Sequence, residues 1–126
     1  MKRVALLLLV ATATQAAPPD SFWRALHLVE TGGKRGPILG DNGKALGPLQ
    51  IHRSYWADAR VGGRYEDCAD LQYSIRVASA YLRRYAPQAW ASGDVTTLAR
   101  VHNGGPRGNQ KPQTLPYAAK VQRNLK

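Results

Sequence analysis

Glu30 and Asp41 are the two acidic residues between the end of the first apolar helical segment and a following glycine-rich stretch. A pair of carboxyl groups can divide the work of breaking a glycosidic bond. One, kept protonated in a dry setting, gives its proton to the leaving oxygen. The other, ionised in a polar setting, serves as nucleophile or electrostatic stabiliser. Glu30 closes the segment Ser21-Phe22-Trp23-Arg24-Ala25-Leu26-His27-Leu28-Val29-Glu30 and is followed at once by Thr31-Gly32-Gly33. A carboxyl at the end of an apolar helix is placed where desolvation raises its pKa, as a general acid near neutrality requires. Asp41 has a competing use, because Asp41-Asn42-Gly43 is a turn signal and aspartate suits turns through its own local hydrogen bonds.

Further polar candidates cluster in three places. Gln50, in Gly47-Pro48-Leu49-Gln50-Ile51, could bind a sugar N-acetyl group or hydroxyl, or satisfy the backbone of its own loop. Tyr55 and Trp56 could offer a sugar-stacking face or simply pack into the core. His102-Asn103-Gly104-Gly105-Pro106-Arg107-Gly108 combines donors and acceptors on His102 and Asn103 with glycines, Gly104 among them, that allow close backbone approach to a ligand. A helix cap and turn would explain those glycines but not the histidine. Three histidines without paired ligand spacing argue against zinc, and Cys68 is a lone cysteine in a helical stretch, read as a small buried residue. No phosphate-loop or dinucleotide fingerprint is present, so neither cofactor nor metal is expected.

The elements that must hold these residues follow from apolar periodicity. Phe22, Trp23, Leu26 and Val29 recur at helical spacing, with Asp20 or Ser21 as the N-cap and the glycines as the stop. Residues 36–51 form two short apolar pieces around Asp41-Asn42-Gly43, which predicts a small irregular hairpin or loop. Residues 54–59 suggest a short helix ending around Gly62-Gly63. A longer helix is expected from Glu66 to Tyr85, with Leu71, Ile75, Ala78, Leu82 and Tyr85 on its buried stripe and Pro87 as its end. Asp94 should cap a helix that stops at Asn103-Gly104-Gly105-Pro106. A polar loop over 107–114 then leads to a last helix, roughly Pro116 to Asn124. The fold class is α+β, mostly helical, with one small β element.

Met1-Lys2-Arg3, an apolar run over 4–10 and small residues up to Ala16 match a secretory signal peptide over 1–16, leaving 17–126 as one domain. The apolar run is shorter than the roughly 20 residues of a membrane span, so no integral membrane segment is expected once the signal is removed. The 126-residue chain carries 18 Lys and Arg against 8 Asp and Glu. Without Lys2 and Arg3 the balance is still +8. Such a charge favours polyanionic partners, and export makes nucleic acid the weakest of them.

Together these stretches carry a resemblance. Val29-Glu30-Thr31-Gly32-Gly33, Leu46-Gly47-Pro48-Leu49-Gln50-Ile51 with Tyr55-Trp56, Tyr81-Leu82-Arg83-Arg84-Tyr85 and Leu98-Ala99-Arg100-Val101-His102-Asn103-Gly104-Gly105-Pro106-Arg107-Gly108 resemble the invertebrate-type (destabilase) lysozymes in order and approximate spacing. The resemblance implies a lysozyme-like domain with its cleft beside a small hairpin, Glu30 as general acid and Asp41 as second carboxylate. It implies the β-1,4 bond between N-acetylmuramic acid and N-acetylglucosamine in peptidoglycan as substrate, and it admits a lysozyme inhibitor protein as partner. The first two motifs are also similar to goose-type lysozymes and soluble lytic transglycosylases. Two alternatives therefore stand: a transglycosylase using Glu30 alone, and a non-catalytic wall-binding protein. Animal members are rich in cysteine and this chain has one, which points to an exported, bacterial-like branch, periplasmic or secreted. The stretch from Glu30 to Asp41 also departs slightly from the family's loop.

Overall fold

A computed structural model describes residues 5–7 and 17–126. The predicted signal segment therefore lies outside the described residues, apart from 5–7. Among the described residues six α-helices surround a buried core, accompanied by a small sheet.

Helix α1, Asp20–Thr31, buries Phe22, Ala25 and Leu26. Its N-cap is Pro19 rather than Asp20 or Ser21, and Asp20 instead lies in the first turn, where its charge favours the helix dipole. The C-terminus is as expected. Gly32 adopts the left-handed conformation (φ 66°), and the N–H groups of Gly32 and Gly33 return to the carbonyls of Leu28 and His27.

The expected hairpin is a three-stranded antiparallel sheet. Strands β1 (Leu39–Gly40), β2 (Ala45–Leu46) and β3 (Ile51–His52) pair Leu39 with Leu46, Gly40 with Ala45, Ala45 with His52 and Leu46 with Ile51. Asp41, Asn42, Gly43 and Lys44 connect β1 to β2, the first three with positive φ, a conformation that Asp, Asn and Gly tolerate best. The third strand arises because Gly47, at φ 83°, turns the chain immediately after β2. A side chain at Gly47 would collide with the backbone of Cys68, so the turn also sets how closely the sheet approaches the helices.

Helix α2, Arg53–Ala59, is the short helix expected there, but it stops at Arg60, which takes the left-handed conformation (φ 53°), before the Gly62-Gly63 expected to end it. The long helix expected over 66–85 is divided. Tyr65–Ala69 form a 3-10 turn, Asp70 is extended, and α3 covers Leu71–Tyr85. Asp70 breaks the run because its carboxylate accepts the Tyr73 N–H at 2.8 Å, a local hydrogen bond that competes with continued helix. The buried stripe of α3 is also rotated from the expected one. Ser74, Val77, Ala78, Tyr81 and Leu82 lie at its centre, while Leu71, Ile75 and Tyr85 flank it. Pro87 does end α3, but it also occupies the first turn of an unexpected helix, α4, Pro87–Ser92, where its missing N–H costs nothing.

Helix α5, Val95–Gly104, is capped by Asp94, whose carboxylate accepts both the N–H and the hydroxyl of Thr97. It packs on α3, α4 and the last helix, α6 (Leu115–Arg123), which also contacts α1. The expected polar loop at 107–114 contains two 3-10 turns. Arg100 on α5 donates to Thr114 and Lys111 across that segment. No helix among the described residues is long and apolar enough to cross a membrane.

Candidate active site

Glu30 projects from the last turn of α1 into a cleft of about 500 Å³ that Asp41, Gln50, His102 and Asn103 also line. The helix end is fixed to the sheet side by the Thr31 hydroxyl, which donates to the Pro48 carbonyl at 3.0 Å. The glutamate side chain is only 16 % exposed. Burial pushes its carboxyl up to about 7, the effect of desolvation outweighing the Tyr117 hydroxyl, which favours the ionised form.

The Tyr117 hydroxyl, on α6, donates to Glu30 Oε1 at 2.6 Å. From α5, His102 Nε2 stands 3.7 Å from the same oxygen, and His102 Nδ1 is 2.8 Å from the Tyr55 hydroxyl on α2. Burial holds the His102 ring down to about 4, with the Leu49 backbone opposing, so near pH 7 the imidazole is neutral. The histidine–glutamate contact is therefore polar rather than ionic. Four helices thus converge on one carboxyl through a line of groups running Tyr55, His102, Glu30, Tyr117. All but the glutamate are neutral near pH 7, and this keeps a carboxylic acid desolvated without a cation to ionise it.

Asp41 occupies the opposite kind of environment. It lies at the β1–β2 turn, exposed, with Oδ2 3.2 Å from His52 Nε2 on β3. The turn and the cleft are compatible: the residue serves the left-handed turn with its backbone and faces the cleft with its side chain.

The other expected residues divide. Asn103 lines the cleft, exposed. Gln50 also borders it, but its amide nitrogen donates to the Ile38 and Gly47 carbonyls. The loop-satisfying use of Gln50 is thus the one that the structure displays, and it offsets the left-handed backbone of this residue (φ 54°). Tyr55 is buried and stacks on Tyr81 with ring centroids 3.6 Å apart, so its stacking face is used inside the protein. Trp56 is half-buried and donates to the Tyr73 hydroxyl. A side chain at Gly104 would meet Thr114, so close packing already accounts for that glycine. Cys68 is buried, its thiol pushed up to about 12 by desolvation.

Two neighbours of the carboxylates went unremarked as site residues in the sequence. Tyr117 is 87 positions from Glu30, and only the packing of α6 on α1 brings them together. In the sequence His52 is only one of three histidines, and it is the pairing of β3 with β2 that brings it to Asp41.

A helical domain with a small antiparallel sheet beside a cleft holding a buried glutamic acid and an exposed aspartate has the architecture of the lysozyme-like glycoside hydrolases. No family model matches the chain. The chain is 34 % identical over 118 residues to a lysozyme of Ostrea edulis, an alignment covering 90 % of this chain and 86 % of that one. It is 33 % identical over 75 residues to the invertebrate-type lysozyme of Ruditapes philippinarum, covering 58 % of this chain and 55 % of the relative. The crystal structure of Meretrix lusoria lysozyme in complex with Aeromonas hydrophila PliI matches with a TM-score of 0.73 at 28 % identity, over 86 % of this chain and 91 % of that chain. The chain belongs to the invertebrate-type lysozyme family and is a glycoside hydrolase.

Proposed function

We propose that this chain is an exported muramidase that hydrolyses the β-1,4 bond between N-acetylmuramic acid and N-acetylglucosamine in peptidoglycan. The observation that carries this reading is the contrast within one cleft: Glu30 buried with its carboxyl near 7, Asp41 exposed beside His52. Because Tyr117 donates to Glu30 Oε1, Oε2 is the oxygen free to carry the proton. Glu30 gives that proton to the glycosidic oxygen as the bond breaks, and Asp41 stabilises or captures the positive anomeric carbon. Glu30, now a carboxylate held by Tyr117, takes a proton from the incoming water, which completes hydrolysis with retention.

The net charge of +10, or +8 without Lys2 and Arg3, supports an acidic cell-wall polymer as substrate. The leader over 1–16 supports a secreted or periplasmic location, with 17–126 as the catalytic domain. An inhibitor protein is a further proposed partner, since a Meretrix lusoria lysozyme is known with an inhibitor bound.

The test is clearing of purified peptidoglycan, with mass spectrometry of the soluble products, for wild type, Glu30→Gln and Asp41→Asn. Hydrolysis yields reducing ends one water heavier than the 1,6-anhydro ends of a transglycosylase. Glu30→Gln should abolish clearing, and Asp41→Asn should slow it by about 100-fold or more. Anhydro products with a nearly normal Asp41→Asn would replace the hydrolase by a transglycosylase. Undiminished clearing by Glu30→Gln would remove the assignment of the acid.

A further inference from the structure

The cleft does not end at Asn103. A second lobe of about 370 Å³ continues from it, sharing His52, His102 and Asn103 and bounded beyond them by Ser54 and Asp58 of α2, Tyr81 of α3 and Lys111. The groups around Glu30 are mostly committed to one another, as the hydrogen bonds of Tyr55, His102, Tyr117 and Gln50 show. Those in the lobe are not. Tyr81 is buried apart from 3 % of its surface, and its hydroxyl, which has no hydrogen-bond partner among the described residues, is not closed off but opens into the lobe. With no protein partner, that hydroxyl can pair there with water or with a ligand atom.

Asp58 supplies the charge. It forms no ion pair among the described residues, although the chain has 18 basic residues against 8 acidic ones. It stands in the last turn of α2, where the helix's carbonyl end adds to the negative potential and Arg60, the C-cap, is the nearest basic residue in sequence that opposes it. Its field also reaches Tyr81, whose hydroxyl is raised to about 12, chiefly by burial, with Tyr85 and then Asp58 adding to it. Lys111, the lobe's own lysine, donates to the Gly104 carbonyl at 2.6 Å and keeps its positive charge, so the Asp58 carboxylate has to outweigh it for a cation; His52 lies beside Asp41. The side chains of Ser54 and Asn103 have no protein partners among the described residues and can accept as well.

We propose that this lobe binds a primary ammonium group carried by the glycan strand whose sugar backbone occupies the Glu30–Asp41 cleft. This rests on the muramidase reading for the strand itself. An ammonium has three donors and no acceptor, which suits the Asp58 carboxylate, the Tyr81 oxygen and one oxygen of Ser54 or Asn103. Two parts of a cell-wall strand can carry such a group: a free amine on the peptide stem, or a glucosamine that has lost its acetyl group. In either case the lobe would select strands by their amine content.

The experiment is calorimetric titration of the Glu30→Gln variant with soluble glycan fragments. One pair has stems with free amines, before and after chemical N-acetylation. The other has stem-free glycan, before and after de-N-acetylation of its glucosamine. The amine form of at least one pair should bind about tenfold more tightly than its acetylated counterpart, as expected for a charge-assisted contact. Which pair responds identifies the source. In Asp58→Asn on the same background the ratio should collapse towards one, and in Tyr81→Phe it should fall partway. Equal binding of amine and acetylated forms in both pairs would overturn the proposal, as would a ratio that survives Asp58→Asn. Mass spectrometry of the titrated fragments keeps the two ideas apart: cleavage by Glu30→Gln refutes the catalytic assignment, whereas intact fragments with no amine preference refute only the lobe.

Discussion

Replacing Glu30 by glutamine should make the protein more stable above neutral pH, and by an amount that follows from its environment. The carboxyl is raised from 4.5 to about 7 by burial. A rise of that size, at ~1.36 kcal/mol per unit, corresponds to about 3 kcal/mol against the ionised form. A group whose folded pKa lies above its unfolded one contributes stability that is fully present below the unfolded value. That contribution is lost as pH rises through the folded value. Wild type should therefore lose about 3 kcal/mol relative to Glu30→Gln between pH 4.5 and pH 9, most of it before pH 8. Glutamine can still accept from Tyr117, and His102, held near 4, stays neutral over most of this range, so neither neighbour obscures the difference. The assay is urea unfolding of both proteins in half-unit pH steps, accompanied by a carbon NMR titration of the Glu30 carboxyl. A stability gap independent of pH, or a Glu30 titration near 4.5, would refute the account of this residue as a desolvated acid.

The remaining expectations are shorter. In the pH dependence of kcat/KM the alkaline limb should fall near 7, and Tyr117→Phe should move it upward by up to about one unit, because the ionised carboxylate loses its donor; a downward move would contradict the geometry. Gly47→Ala combines a positive φ with a collision against the Cys68 backbone, and should cost about 3 kcal/mol in urea unfolding. Native Cys68 should resist thiol reagents at pH 8 and react only as fast as the protein unfolds; labelling at the rate of a free thiol would show that the site is open.

The parts of the site legible in the sequence are those with local causes. The end of α1 was readable because Gly32 and Gly33 are the residues that let a helix close on its own carbonyls, and this placed Glu30 at a helix terminus. Asp94 was readable as an N-cap for the same kind of reason. Asp41 was readable as a turn residue, and the structure makes it both turn and cleft wall. Where two local signals competed, periodicity alone misled. The apolar run from Glu66 to Tyr85 conceals a break because Asp70 satisfies a nearby N–H more cheaply than the helix would. Pro87 read as a stop, but a proline is equally a start.

What the sequence determined by itself was the kind of fold, the helix-end acid, the turn-borne aspartate and a histidine that no turn could explain. These depend on neighbours a few positions away, whose geometry the backbone dictates. Only the tertiary structure decided what surrounds them: Tyr117 reaching Glu30 from α6, Tyr55 turned inward onto Tyr81 and His102, Gln50 spent on its own loop, and a lobe around Asp58 beyond the cleft. Burial and long-range pairing set a carboxyl's proton affinity, and neither belongs to any stretch of chain until the helices are packed.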